Sequence, residues 1–226
     1  KIMSVMEKIE IKLGRWMAYV SAISAILWFI TFSMQDLIHP LPEWQDLETY
    51  AEAFHMSRLT YIYPSLLLAV TYIVFLVCLH RMVPENKKVW TLSALSIGII
   101  YAVMASVNYN IQAVAVRLSI AAGETDGIGM FIPDNPNSVF NALANSYIYM
   151  AISMFFAGFA FRKGRLESWI RTLLLLQLIT AGGQLVYSMY GMNEIIFIIT
   201  SMIWVIGAPV SFILMGRWMK QQQAAA

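Results

Sequence analysis

Along the chain, apolar residues gather into six long blocks separated by short polar ones. The blocks cover residues 16–34, 59–79, 89–115, 138–161, 169–189 and 195–215. A helix rises about 1.5 Å per residue, so about 20 apolar residues cross a hydrocarbon core about 30 Å thick. Each block therefore predicts a transmembrane helix. The segments between them carry turn and interface residues: His39-Pro40-Leu41-Pro42, Pro84-Glu85-Asn86-Lys87-Lys88, Pro133-Asp134-Asn135-Pro136-Asn137 and Arg162-Lys163-Gly164-Arg165. No internal repeat and no long linker divides the chain. The predicted fold is all-α, a polytopic membrane protein with six transmembrane helices in one bundle spanning residues 1–226.

Composition agrees with the pattern. The chain is 59% hydrophobic and 12% charged, about half the charge of a soluble domain. A soluble globule and a disordered chain are both excluded. The first block is too long, and too plainly followed by others, to read as a cleaved signal peptide. A net charge of +2 gives no reason to expect nucleic acid. The single cysteine, Cys78, forbids an internal disulfide and any multi-cysteine metal site, and reads as a small apolar filler.

Charge distribution predicts orientation. The amino-terminal segment, the second and fourth loops and the carboxyl-terminal tail hold 13 of the 15 basic residues. The odd-numbered loops hold only Arg58 and Arg117, with nine of the 13 acids. Positive residues stay on the cytoplasmic side, so both termini are expected there.

Three pieces outside the blocks carry pattern. Residues 1–15 place Ile2, Met6, Ile9 and Leu13 on one helical stripe, which suits either an interfacial helix or an extension of the first span. In the first outer loop Trp44, Leu47, Ala51 and Phe54 recur at helical spacing among Glu43, Asp46, Glu48 and Glu52, giving a lid or a plain connector. The second outer loop, 122–137, is long and rich in Gly, Asp, Asn and Pro, with Met130-Phe131-Ile132 apolar enough to dip inward. The third outer turn, around Met192-Asn193-Glu194, is short. Any mouth is expected to face outward.

Polar residues within spans turn inward and are candidates for function. The third span carries Asn108 and Gln112 on one face and Asn110 and Arg117 on roughly the opposite one. The fourth begins with Asn141 and Asn145; the fifth aligns Gln177, Ala181, Gln184 and Ser188, with Tyr187 beside them. Ser21, Ser24 and Trp28 mark the first span, and Thr200, Trp204, Gly207 and Ser211 the sixth. Two readings stand: interhelical hydrogen bonding, which Gln177 and Gly182-Gly183 fit, or a polar chamber in the outer half. Arg58 and Arg117 either clamp an anionic headgroup with their guanidinium forks or lock the outer face by pairing with Asp36, Glu124 or Glu194.

Absences narrow the chemistry. No Asp, Glu or Lys lies mid-span, against a proton-coupled pump or a Schiff base. His39, His55 and His80 cannot jointly ligate haem or zinc, since His55 and His80 stand about 37 Å apart along a helix. No nucleophile elbow or phosphate loop occurs, and no cofactor or metal is expected. The fifteen methionines read as soft packing.

The run from Ile100 through Tyr101, Ala102, Val103, Met104, Ala105, Ser106 and Val107 to Asn108 and Tyr109 is accompanied by Gly123-Glu124-Thr125, Asn135-Pro136-Asn137-Ser138-Val139-Phe140 and Leu166-Glu167-Ser168-Trp169-Ile170-Arg171. Together they resemble segments of bacterial six-helix integral membrane proteins to which no activity is attached. The resemblance covers about half of the chain and implies only a bacterial inner-membrane protein, with no functional residue carried over.

The leading expectation is a protein, with membrane lipids around it, that binds a small amphipathic or anionic molecule, lipid included, as permease or sensor. Its outward-opening cavity is expected to be lined by Asn108, Gln112, Asn141, Asn145, Gln184 and Tyr187, with Arg58 and Arg117 at the rim. Two alternatives remain: a lipid-modifying enzyme using His55 as base with an outer-loop acid, or a structural subunit of a membrane complex.

Overall fold

The computed structural model describes residues 5–136, 138–162, 164–190 and 194–224, with backbone alone at 5–7 and 194. Its helices are α1 (Val5–Ile38), α2 (Leu47–Ala53), α3 (Ile62–Met82), α4 (Lys88–Asn110), α5 (Arg117–Ala122), α6 (Val139–Ala144), α7 (Ser146–Gly158), α8 (Gly164–Tyr190) and α9 (Glu194–Ala224). Short 3-10 turns stand at Met56–Leu59, Glu85–Lys87 and Ile128–Phe131, and a π-helical turn, Ile111–Val116, joins α4 to α5. Six helical runs are long and apolar enough to cross a membrane, the architecture of a multi-pass membrane protein.

The helices pack in a closed ring: α1 against α3, α3 against α4, then α7, α8, α9 and back to α1. Small residues set the closest approaches, as between membrane helices generally. A Cβ at Gly14 of α1 would meet Cys78 Cβ of α3 at 2.7 Å, and one at Gly183 of α8 would meet Thr200 Oγ1 of α9 at 2.4 Å. Cys78 is a buried free thiol at that first crossing. On the outside of the ring, Ile23, Val103, Ile179, Ile199 and Ile206 are exposed, the surface a hydrocarbon solvent would cover.

The two ends of the bundle differ. At the terminal end, the beginning of α1 meets the end of α9 through Arg15, which donates to Gln223 Oε1 at 3.1 Å. Arg81 of α3 pairs with Glu10 there at 2.7 Å. The opposite, capped end carries α2 and residues 123–136.

Several expectations shift. α1 is one helix of 34 residues, about 51 Å long, so residues 5–15 extend the first span and form no separate interfacial helix; Lys1 and Ile2 lie outside the described residues. The first-loop helix is shorter than its stripe, because Asp46 caps it by accepting from Thr49 N at 2.8 Å. Trp44 stays outside it, 6.1 Å from the Tyr50 ring. The fourth block breaks at Asn145 into α6 and α7. Asn137, Lys163, Met192 and Asn193 lie outside the described residues.

Candidate functional site

The cap is built on the π turn. Widening the helix at Ile111–Val116 aims Gln112, 1% exposed, away from the α-helical ladder; such turns recur at functional positions. Its Nε2 donates to the Phe131 carbonyl at 2.5 Å. Val116 and Ile132 bury against Tyr50 of α2, with Leu47, Phe54 and Phe131 around them. Ser138 donates to Met130 O at 3.0 Å and Asn135 to Gly129 O at 2.9 Å, closing the loop on itself. Gly123 and Gly127 turn it with φ of +70° and +77°, a conformation that glycine adopts without strain. Between Leu47 and the stretch 125–135 lies an open hollow of about 620 Å³.

The residues expected around one chamber are spread over several tasks. Asn108 and Gln112 share the inward face of α4 with Tyr101 and Ala105, all buried. Asn110 points outward and donates to Ser106 O at 2.8 Å. Asn141 is exposed and donates to Asn135 O at 3.1 Å. Asn145 accepts from Ser188 at 2.8 Å, stitching α7 to α8. Tyr187 stacks on Phe197 at 4.3 Å, and Gln184 is half-buried on α8. Gln112, Asn141 and Asn145 thus serve different joints, taken up by loop backbone and a neighbouring helix.

Arg58 is a tie and no open clamp. Its side chain is 8% exposed and pairs with Asp36 at 2.8 Å. Nη1 donates to the His39 carbonyl at 2.5 Å, with the Gln35 carbonyl 3.5 Å away. The fork thus joins the end of α1 to the turn before α3, where carbonyls left free by a helix end want donors. Arg117 spends its Nε on Ala113 O at 2.8 Å. His55 hydrogen-bonds Ser57 Oγ at 2.8 Å and stacks on His39 at 3.8 Å. It is solvent-exposed, and its partners supply no acid.

Beneath the cap, the ring interior is filled by aromatic side chains from α1, α4, α7 and α9. Tyr147 is the hub: its ring lies 5.2 Å from Trp28, 5.0 Å from Trp204 and 5.6 Å from Tyr101. Trp28 meets Trp204 edge-on at 5.4 Å. The Tyr147 and Tyr109 hydroxyls are 3.0 Å apart, and Ser65 of α3 borders both. Among the described residues, Trp28 Nε1, Trp204 Nε1 and Tyr101 Oη of this cluster are buried without a well-formed hydrogen bond, as is Ser24 Oγ one turn from Trp28; Trp28 borders the Tyr109 hydroxyl and Tyr101 the Tyr147 hydroxyl. Native interiors leave few such atoms, and each asks for an occupant or a role. Trp28 and Trp204 fall on inward stripes legible in the sequence. Tyr101, Tyr109 and Tyr147 were missed, although Tyr101 keeps helical register with Asn108.

Elsewhere much of the interior is satisfied, although Arg171 Nε, Gln177 Oε1 and Ser201 Oγ are also buried without a partner among the described residues. Tyr72 Oη lies 2.7 Å from Ser153 Oγ, which donates to Ala94 O at 2.6 Å. Ser21 donates to Thr71 at 2.9 Å. Gln177 reaches Leu173 O and Ile203 O against Gly207. Among the described residues no group of His, Cys, Asp or Glu could hold a metal ion. No protein-family model matches this chain, and neither the curated proteins nor the solved structures contain a match.

Proposed function

We propose that this chain is a bacterial inner-membrane protein that binds a small amphipathic molecule in the capped half of its bundle, as a sensor or permease, the packed rings around Tyr147 parting to admit it. The observation that carries the reading is the set of polar atoms around Tyr147 that make no well-formed hydrogen bond among the described residues: two indole N–H donors and one phenol, among aromatic rings. Donors in an apolar enclosure suit a molecule with an apolar body and one or two oxygen acceptors. A carbonyl, ester or carboxyl oxygen meets that description. The lining moves from the amide set to Trp28, Tyr101, Tyr109, Tyr147 and Trp204, with Asn108 and Gln112 above it.

Entry is through the cap. The Gln112–Phe131 bond is the tie that must open, and the turns at Gly123 and Gly127 supply freedom for the loop to lift. Orientation follows charge: Arg15, Arg81, Lys87, Lys88 and Arg165 gather at the terminal end, and Asp36, Asp46 and Glu48 at the capped end. The terminal end is then cytoplasmic.

A fluorescence titration tests the reading. The purified chain is titrated with a medium-chain monoacylglycerol and a medium-chain fatty acid, following tryptophan emission. A saturable change is expected that Trp204→Phe diminishes and Tyr101→Phe weakens. No saturable change with either probe, together with no organic molecule extracted from the purified protein, contradicts it.

A structural-subunit role is the second reading. Gly182 favours it: a Cβ there meets nothing within 4 Å, leaving a lipid-facing notch on α8 that another chain would fill.

A further inference from the structure

At the terminal end, the first turn of α8 and the last turns of α9 enclose a groove of about 520 Å³ lined by Arg165, Glu167, Trp169, Trp218, Gln221 and Gln222. It lies at the opposite end from the aromatic cluster and is independent of the function proposed for that site. We propose that this groove binds the headgroup of an anionic phospholipid.

Charge comes first. Arg165 is exposed and makes no ion pair among the described residues. The one acid in the groove keeps its charge but does not occupy the Arg165 fork: Glu167 Oε1 accepts from Trp218 Nε1 at 3.1 Å and Oε2 from Arg162 N at 2.8 Å. A guanidinium fork with the Gln221 and Gln222 amides beside it offers donors suited to phosphate oxygens.

Position comes second. Trp169 is 57% exposed, and Trp218 is held by its bond to Glu167. Paired tryptophans at a helix end are the mark of the headgroup layer. From the groove, helical register continues the surface inward as two partly exposed apolar stripes. Trp169, Leu173 and Leu176 lie on α8, and Trp218, Leu214 and Val210 on α9. Acyl chains lie along these stripes while the phosphate sits at Arg165. A soluble anion would use the fork and amides alone; the stripes commit the site to lipid.

The test uses the full chain in mild detergent, supplied with phosphatidylglycerol, phosphatidylcholine or inorganic phosphate, and reads retained lipid by native mass spectrometry. Phosphatidylglycerol is expected to be retained in preference to phosphatidylcholine, and phosphate to leave the protein unchanged. Arg165→Gln should weaken that retention about fivefold, the worth of one basic side chain at an anionic surface. Trp169→Ala should weaken both lipids. Arg165 and Trp169 are exposed, so each variant is expected to keep the wild-type melting temperature in phosphatidylcholine, which separates binding from folding. Equal retention of the two lipids, an Arg165→Gln variant with undiminished preference, or protection by inorganic phosphate alone overturns the proposal.

Discussion

Gln112 and Phe131 are joined by one hydrogen bond, from a buried amide on a π-helical turn to a carbonyl of the outer loop. That bond connects the bundle interior to its cap. Below it lies the aromatic cluster and above it the hollow between α2 and the loop.

Gln112→Leu leaves the Phe131 carbonyl without its donor while keeping the side chain apolar and similar in size. Unfolding in detergent is expected to become easier by about 1–3 kcal/mol. Limited proteolysis should cut the segment 123–136 faster than in the wild type. A loop as resistant as before removes the latch.

Arg58→Lys keeps the charge but loses the fork. Because Asp36 is largely solvent-exposed while Arg58 is buried, most of the cost comes from the His39 carbonyl and the vacated space. A loss of about 1–3 kcal/mol in thermal stability is expected. Unchanged melting means that the tie between α1 and α3 is made elsewhere.

Asp134 responds to pH in a defined direction. Partial desolvation of its carboxyl, on a residue that is otherwise exposed, pushes its pKa above the usual carboxylate value; Arg58 pulls it back and Asp36 adds to the rise. The folded state therefore holds the proton more tightly than the unfolded one. This contribution to stability is present at acid pH and is lost as pH rises through the folded-state value. Asp134→Asn should raise the melting temperature at neutral pH and leave it unchanged below the ordinary carboxylate range. A variant less stable than the wild type at neutral pH contradicts the sign.

Gly183→Val would place branched methyls where Thr200 already sits, within 2.6 Å of a bare Cβ. Separation of α8 from α9, with a destabilisation of about 1–3 kcal/mol, is the expected result in a chemical-denaturation series. Gly182→Val, facing open space, is the internal control and should be near neutral.

The six spans were legible because bilayer thickness imposes a length that apolar blocks reveal directly. Inward faces were legible too where a small or amide residue broke an apolar stripe, as at Asn108, Gln112 and Ser211, all of which are buried. Assembly of those faces into a site was not. Periodicity gives the direction of a side chain from its own helix axis, but not whether a loop carbonyl will capture it, as Phe131 captures Gln112. Nor does it distinguish a tyrosine whose hydroxyl is satisfied, such as Tyr72, from one whose hydroxyl is not, such as Tyr101. Both read as core aromatics until partners from other helices are in place.

Tyr101→Phe gives the most direct test, since it removes one buried hydroxyl that makes no well-formed hydrogen bond among the described residues and keeps the ring. Native mass spectrometry of the wild type, gently extracted, is expected to reveal a bound organic molecule whose occupancy falls in Tyr101→Phe. A bare wild-type mass, combined with a Tyr101→Phe variant that melts higher because an orphaned hydroxyl has been removed, would contradict the account.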